Sequence, residues 1–355
     1  MNHITLPAVL DQLREQGFPV TEPSQLAAPT NADEPASPWY VKLLVGFSAW
    51  VAAILLGTFF GMANLIDSGQ SSLIWGAILT LSAIGLCWWL GRSIFWGQLA
   101  FALSLAGQGL LIAGFAWDSP STLSVLLFIL VLEFVLFLIY PDTLHRFFSL
   151  LAIAVALTYL FYDQKIADVV HLLTLLTAFG TLVLWQHTWR VQMSRWSAFH
   201  TPLGFGLPIS LFGLALLPIL NDFTDIYPAR WWWLSSIILA LACAYLAWRI
   251  LAELALSPFS RLGLGVLLTL ALLLVPAWGT PGILAAVLVL GVAFWRRNAL
   301  LLGLAILFLL FFLGFYYYNL NLTLLVKSYI LMGAGVILLG LYRLLAWQAP
   351  GLEAQ

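Results

Sequence analysis

From Lys42 onward the chain is a succession of apolar runs, each separated from the next by a few polar residues. The runs show no strict alternation of apolar and polar positions, so they read as helices rather than strands. Most are close to the roughly 17–25 residues that a helix needs to cross a bilayer. Unpaired backbone groups are too costly in hydrocarbon for any open structure, which leaves helices as the spanning element. Twelve spans are predicted: Leu43 to Ile66, Leu73 to Leu90, Ile94 to Ala116, Thr122 to Tyr140, Phe147 to Tyr162, Val169 to Trp189, Pro202 to Leu220, Trp231 to Leu251, Leu262 to Pro276, Gly282 to Trp295, Ala299 to Tyr317 and Leu324 to Leu345. The ninth and tenth are short, and Pro276 to Pro281 joins them tightly. They form either a full hairpin in a locally thinned bilayer, the preferred reading, or a re-entrant one, which leaves ten true spans. The expected fold class is an all-α, polytopic transmembrane helix bundle.

Ahead of the first span the pattern changes. Residues 1–18 predict a short amphipathic cytoplasmic helix, capped by Thr5, with Pro7 in its first turn and Leu6, Val9, Leu10 and Leu13 on one face. Residues 19–38 form a Pro-rich linker, residues 39–347 the bundle and residues 348–355 a cytoplasmic tail. The first apolar run begins only after a polar stretch, so no cleavable signal peptide is expected.

Charge then orients the bundle. The chain is 63% hydrophobic and only 8% charged, against roughly a quarter charged in soluble domains, so it cannot coat a water-facing globule. Assigning loops alternately places Arg14, Lys42, Arg92, Arg146, Arg190, Arg195, Arg249, Arg261, Arg296, Arg297 and Arg343 on one side. Only Lys165, Arg230 and Lys327 lie towards the other. The positive-inside rule therefore expects both termini in the cytoplasm. A net charge of −1 gives no electrostatic case for nucleic acid. Cys87 and Cys243 sit inside apolar runs and read as small buried hydrophobes.

Few residues remain that could carry chemistry. Glu133 is the one acidic residue deep in a predicted span, where an ionisable group is costly. If Trp117 to Pro120 closes a tight hairpin, Ser104 lies opposite Glu133, Gln108 a turn away and Gln98 deeper towards the cytoplasm. Glu133 is then either a proton-coupling or substrate-binding carboxyl, or an acid that bonds two helices together; the second is preferred, because proton relays usually show several such groups. Lys327, a turn inside the outer end of the last span, either snorkels to the headgroups or pairs with Asp67 or Asp118. His145, His187 and His200 read as interface residues on the inner side and His171 on the outer. No metal-ligand spacing and no HExxH, GxSxG or P-loop motif is present, so no catalytic, cofactor-binding or metal residue and no enzymatic activity is expected. Gly97, Ala100, Ser104 and Gly107 suit close helix packing, as do Gly57 and Gly61, a GxxxG pair. Pro202, Pro208 and Pro218 predict a kinked seventh span.

Two stretches, Ser37 to Trp50 (SPWYVKLLVGFSAW) and Tyr316 to Ser328 (YYYNLNLTLLVKS), resemble a bacterial membrane family catalogued as domain of unknown function 4401. The resemblance covers Pro38 to about Leu345. It implies a bacterial inner-membrane location and carries no established activity. It also implies a partner, since members are often encoded beside a small membrane-anchored protein bearing a GDYxxLxY motif. The leading expectation is a non-enzymatic membrane subunit or scaffold, embedded in the lipid bilayer and docking such a partner. The alternative is a secondary transporter or channel that uses Glu133 in a kinked-helix bundle.

Overall fold

The computed structural model describes residues 39–319 except 64, 91–93, 120, 225–229, 258 and 275–278; beyond these it describes residues 325, 328–329, 332–333, 335–336, 339–340 and 343. The predicted N-terminal helix, linker and C-terminal tail, and Lys327, lie outside the described residues.

The described residues are helical throughout, with no strand. Helix α1 runs Trp39–Met62, α2 Gly69–Leu90, α3 Ile94–Trp117, α4 Thr122–Ile139, α5 Thr143–Asp163, α6 Val170–Gln186, and the five-residue α7 Thr188–Gln192. Then follow α8 Ser197–Thr224, α9 Trp232–Glu253, α10 Arg261–Leu274, α11 Pro281–Trp295 and α12 Ala299–Asn319. The described residues from 325 to 343 are also helical. Among the described residues each predicted span thus coincides largely with helix, and eight described helices are long and apolar enough to cross a membrane.

Small residues set the tightest contact. Between α2 and α3, a Cβ on Gly76 would lie 2.7 Å from Leu111 N, and one on Gly114 2.7 Å from Gly69 O. The Ser72 hydroxyl donates to Leu110 O at 2.8 Å across the same seam. These backbones approach as closely as two helices can, which is how packing is gained where lipid offers no hydrophobic drive. In the turn ahead of α2, Asp67 is exposed, and the Ser71 and Ser68 hydroxyls hold its carboxyl below the usual carboxylate range.

The main apolar core surrounds α11, where Leu284 to Ala286, Leu288 and Val289 are buried against α6, α8, α9 and α12. At one end of this core Glu253 gathers three partners: Trp295 Nε1 donates to Oε2 at 2.7 Å, while Arg249 and Arg296 reach Oε1 at 4.0 and 3.8 Å. Arg296 also donates to Gln186 O and stacks over the Trp295 ring.

Helix α8 contains Pro202, Pro208 and Pro218 and runs as one continuous helix from Ser197 to Thr224. Proline removes the N–H that would bond the carbonyl four residues earlier. Pro202 frees Ala198 O, which accepts from Arg146 Nη1 at 3.1 Å. Pro208 frees Gly204 O, which accepts from Trp185 Nε1 at 3.0 Å. Side chains of α5 and α6 thus replace two of the three backbone bonds that the prolines remove from α8.

Candidate functional site

One group of buried polar side chains gathers where α3, α4 and α5 meet. Asp142 Oδ2 accepts from His145 N and caps α5, so the helix starts at Thr143 and His145 falls inside its first turn. Helix α3 has 24 residues and α4 has 18. Since the two are antiparallel, α5 begins about 9 Å short of the far end of α3. His145 therefore lies level with the middle of α3, not with its end.

There it closes a triangle. His145 Nε2 is 2.7 Å from Ser104 Oγ and 2.8 Å from Gln108 Nε2, and Gln108 Nε2 is 3.0 Å from Ser104 Oγ. The Gln108 amide nitrogen has two N–H groups and donates to both neighbours. His145 Nε2 must then accept, which puts its proton on Nδ1, facing the Ser149 hydroxyl at 3.4 Å. The imidazole is 2% exposed. Tyr140, 1% exposed, stacks on it with centroids 3.8 Å apart, and Phe101 meets it edge-on.

Glu133 is adjacent but not part of the triangle. Its side chain is 4% exposed and Oε2 has no hydrogen-bond partner. The Ser149 hydroxyl is the polar side chain that acts on this carboxyl. The sequence count sets Ser104 opposite Glu133; in the structure the Ser104 and Gln108 side chains bond the imidazole from α5. Gln98 lies well under two turns from Ser104, and its buried Oε1 has no partner. His145, His171 and His200, read as interface residues from sequence, are buried ones. The sequence signal was present in Asp142, which sits three residues ahead of His145 as an N-cap should, and in Ser149 one turn further on.

Chemically, the Ser149 hydroxyl is a neighbour of both the carboxyl and the imidazole, but no complete hydrogen-bonded path among the described residues joins the two. Among the described residues no three His, Cys, Asp or Glu side chains are grouped to hold a metal ion.

His171, also buried, is structural. His171 Nε2 lies 2.9 Å from Arg230 O, and since a carbonyl only accepts, Nε2 carries a proton. Its Nδ1 lies 2.7 Å from Ser235 Oγ, so the ring ties α6 to α9.

Glycines show where the bundle surface is open. A Cβ on Gly57 or Gly61 of α1 would meet nothing within 4 Å, so the GxxxG pair packs against no helix described in this chain. No curated protein and no solved structure matches the chain. The full length of the bundle is covered by a family match, and both resembling stretches fall within it, the first all but its opening Ser37. The chain belongs to the family described as a domain of unknown function (DUF4401), which it matches over residues 38–347.

Proposed function

We propose that the chain is a non-enzymatic, multi-pass subunit of a bacterial inner-membrane assembly, docking a membrane-anchored partner that bears a GDYxxLxY motif. The observation that carries this reading is the open Gly57 and Gly61 face of α1. Small-xxx-small pairs let a second helix approach to backbone contact, and in lipid such packing is a main source of association. Thr58 bonds back to Ile54 O at 2.8 Å, so its hydroxyl leaves no unmet polar group on that face. The excess of Lys and Arg on the loops at one side supports twelve crossings with both termini in the cytoplasm.

The test is co-purification in mild detergent of the tagged chain with the co-expressed partner. Wild type should recover the partner in stoichiometric amount, and Gly57→Leu/Gly61→Leu should recover at least about tenfold less. A Cβ at either position meets nothing within 4 Å among the described residues, so the melting temperature should not fall. Recovery of the wild-type chain alone, or only with a second copy of itself, would overturn the reading.

One observation favours a second reading. The polar groups of Glu133, Ser149 and His145 supply the several ionisable and hydroxyl groups that a proton-coupled carrier uses. Purified protein in pH-clamped vesicles decides: the subunit reading expects no proton flux above protein-free vesicles. Flux that Glu133→Gln abolishes would install the carrier reading instead.

A further inference from the structure

At the end of the bundle opposite the arginine-rich loops, two cavities meet. One is an apolar groove of about 460 Å³ between α5 and α8, lined from Leu151 to Tyr162 on one side and from Ile209 to Leu220 on the other. The second is a polar basin of about 750 Å³ that shares Tyr162 with the groove and is lined by Asp163, Lys165, Asp168 and Arg230.

The groove has the depth of one leaflet. On each helix it covers eleven residues of rise, about 16 Å, against about 15 Å for half the hydrocarbon core. A crossing helix from another protein would need a seat twice as long. The groove exists because Gly213 has no side chain, and a Cβ there would meet nothing within 4 Å. An acyl chain fits this length and this apolar lining.

The basin adds a charge pattern. Among the described residues no ion pair engages Lys165 or Arg230. The two carboxylates each spend one oxygen locally, Asp163 Oδ2 on Gln164 Nε2 at 2.9 Å and Asp168 Oδ1 on the Arg230 backbone N–H at 2.6 Å. Each keeps a second oxygen able to accept. Two cations beside two carboxylates match a headgroup with both charges. A phosphate suits the lysine and guanidinium, and a primary ammonium with three N–H donors suits the carboxylates. Choline has no donor to offer, and a purely anionic headgroup would face Asp163 and Asp168 unshielded.

We propose that this groove and basin form a binding site for a phosphoethanolamine lipid, its acyl chain between α5 and α8 and its headgroup between Lys165, Arg230 and the two aspartates. The site makes no use of the α1 face on which the partner is proposed to dock, so the two ideas stand or fall separately.

Native mass spectrometry of the full chain in detergent, titrated with phosphatidylethanolamine, phosphatidylglycerol and phosphatidylcholine of matched acyl chains, tests it. Phosphatidylethanolamine should bind at least about tenfold tighter than either other lipid. Lys165→Gln/Arg230→Gln should weaken it about thirtyfold, at about fivefold for each cation lost near the membrane surface. Asp163→Asn/Asp168→Asn should bring phosphatidylglycerol level with it. Gly213→Leu should weaken all three lipids while the melting temperature holds. Equal binding of the three lipids by wild type, or undiminished binding by Gly213→Leu, would overturn the proposal. So would a photo-crosslinker placed at position 213 in cells that captures a polypeptide instead of lipid.

Discussion

A Gly107→Leu protein should lose about 3 kcal/mol or more of stability, the upper end of what overpacking a tight contact costs. The position has no room. A Cβ on Gly107 would lie 2.8 Å from Thr80 N and 2.9 Å from Gly76 O, and closer still to the Thr80 hydroxyl. Two of these atoms are backbone, so no rotamer change relieves the contact and α2 must move off α3. The Ser72 to Leu110 bond would be stretched with it. Gly109, two residues further along α3, is the matched control, because a Cβ there meets nothing within 4 Å. Gly109→Leu should leave stability unchanged or raise it by up to about 1 kcal/mol, through helix propensity alone. Unfolding by graded SDS or by heat in mild detergent compares the pair; equal midpoints for the two variants would refute the α2–α3 seam.

His145→Ala should cost about 3 kcal/mol by the same measurement. The imidazole fills space between Tyr140, Phe101 and Ser149, and removing a buried ring leaves a cavity, a loss of about 3–5 kcal/mol for the larger aromatic rings. It also strips Ser104 and Gln108 of their common partner. Each unmet polar group adds to the loss, although side-chain bonds inside membranes average only about 0.6 kcal/mol. His145→Gln restores an acceptor near the triangle and should recover part of it. His187 and Arg190, near the ends of α6 and α7, face no such triangle, and His187→Ala should be close to neutral. If His145→Ala proves equally mild, the ring does not organise this core.

The positions of the spans were legible because an apolar run of bilayer length admits one structure only, a helix. Their ends were less legible, and one end mattered. The fifth span was read from Phe147, where hydrophobicity begins, whereas the helix begins at Thr143. The intervening turn contains His145 and Arg146, polar residues that hydropathy assigns to water and that the structure buries. Their burial follows from the unequal lengths of α3 and α4, which a hairpin count of residues opposite one another does not include. At the prolines of α8, sequence shows the missing N–H but not the Arg146 and Trp185 side chains on other helices that bond the freed carbonyls. Ser104 and Gln108 were correctly taken as a pair on one face. Glu133 was correctly placed in the interior, but its neighbour Ser149 lies on a helix that no local pattern connects to it.

Helix α11 has only 15 residues, and most of them touch other helices rather than lipid. Too short to seat itself unaided, it depends on its neighbours to carry it into the membrane, and during synthesis it should settle only after α6, α8 and α9 have emerged. Once in place it is sheltered from the surrounding lipid, so a thicker or thinner bilayer would strain the outer helices and leave this central one almost untouched.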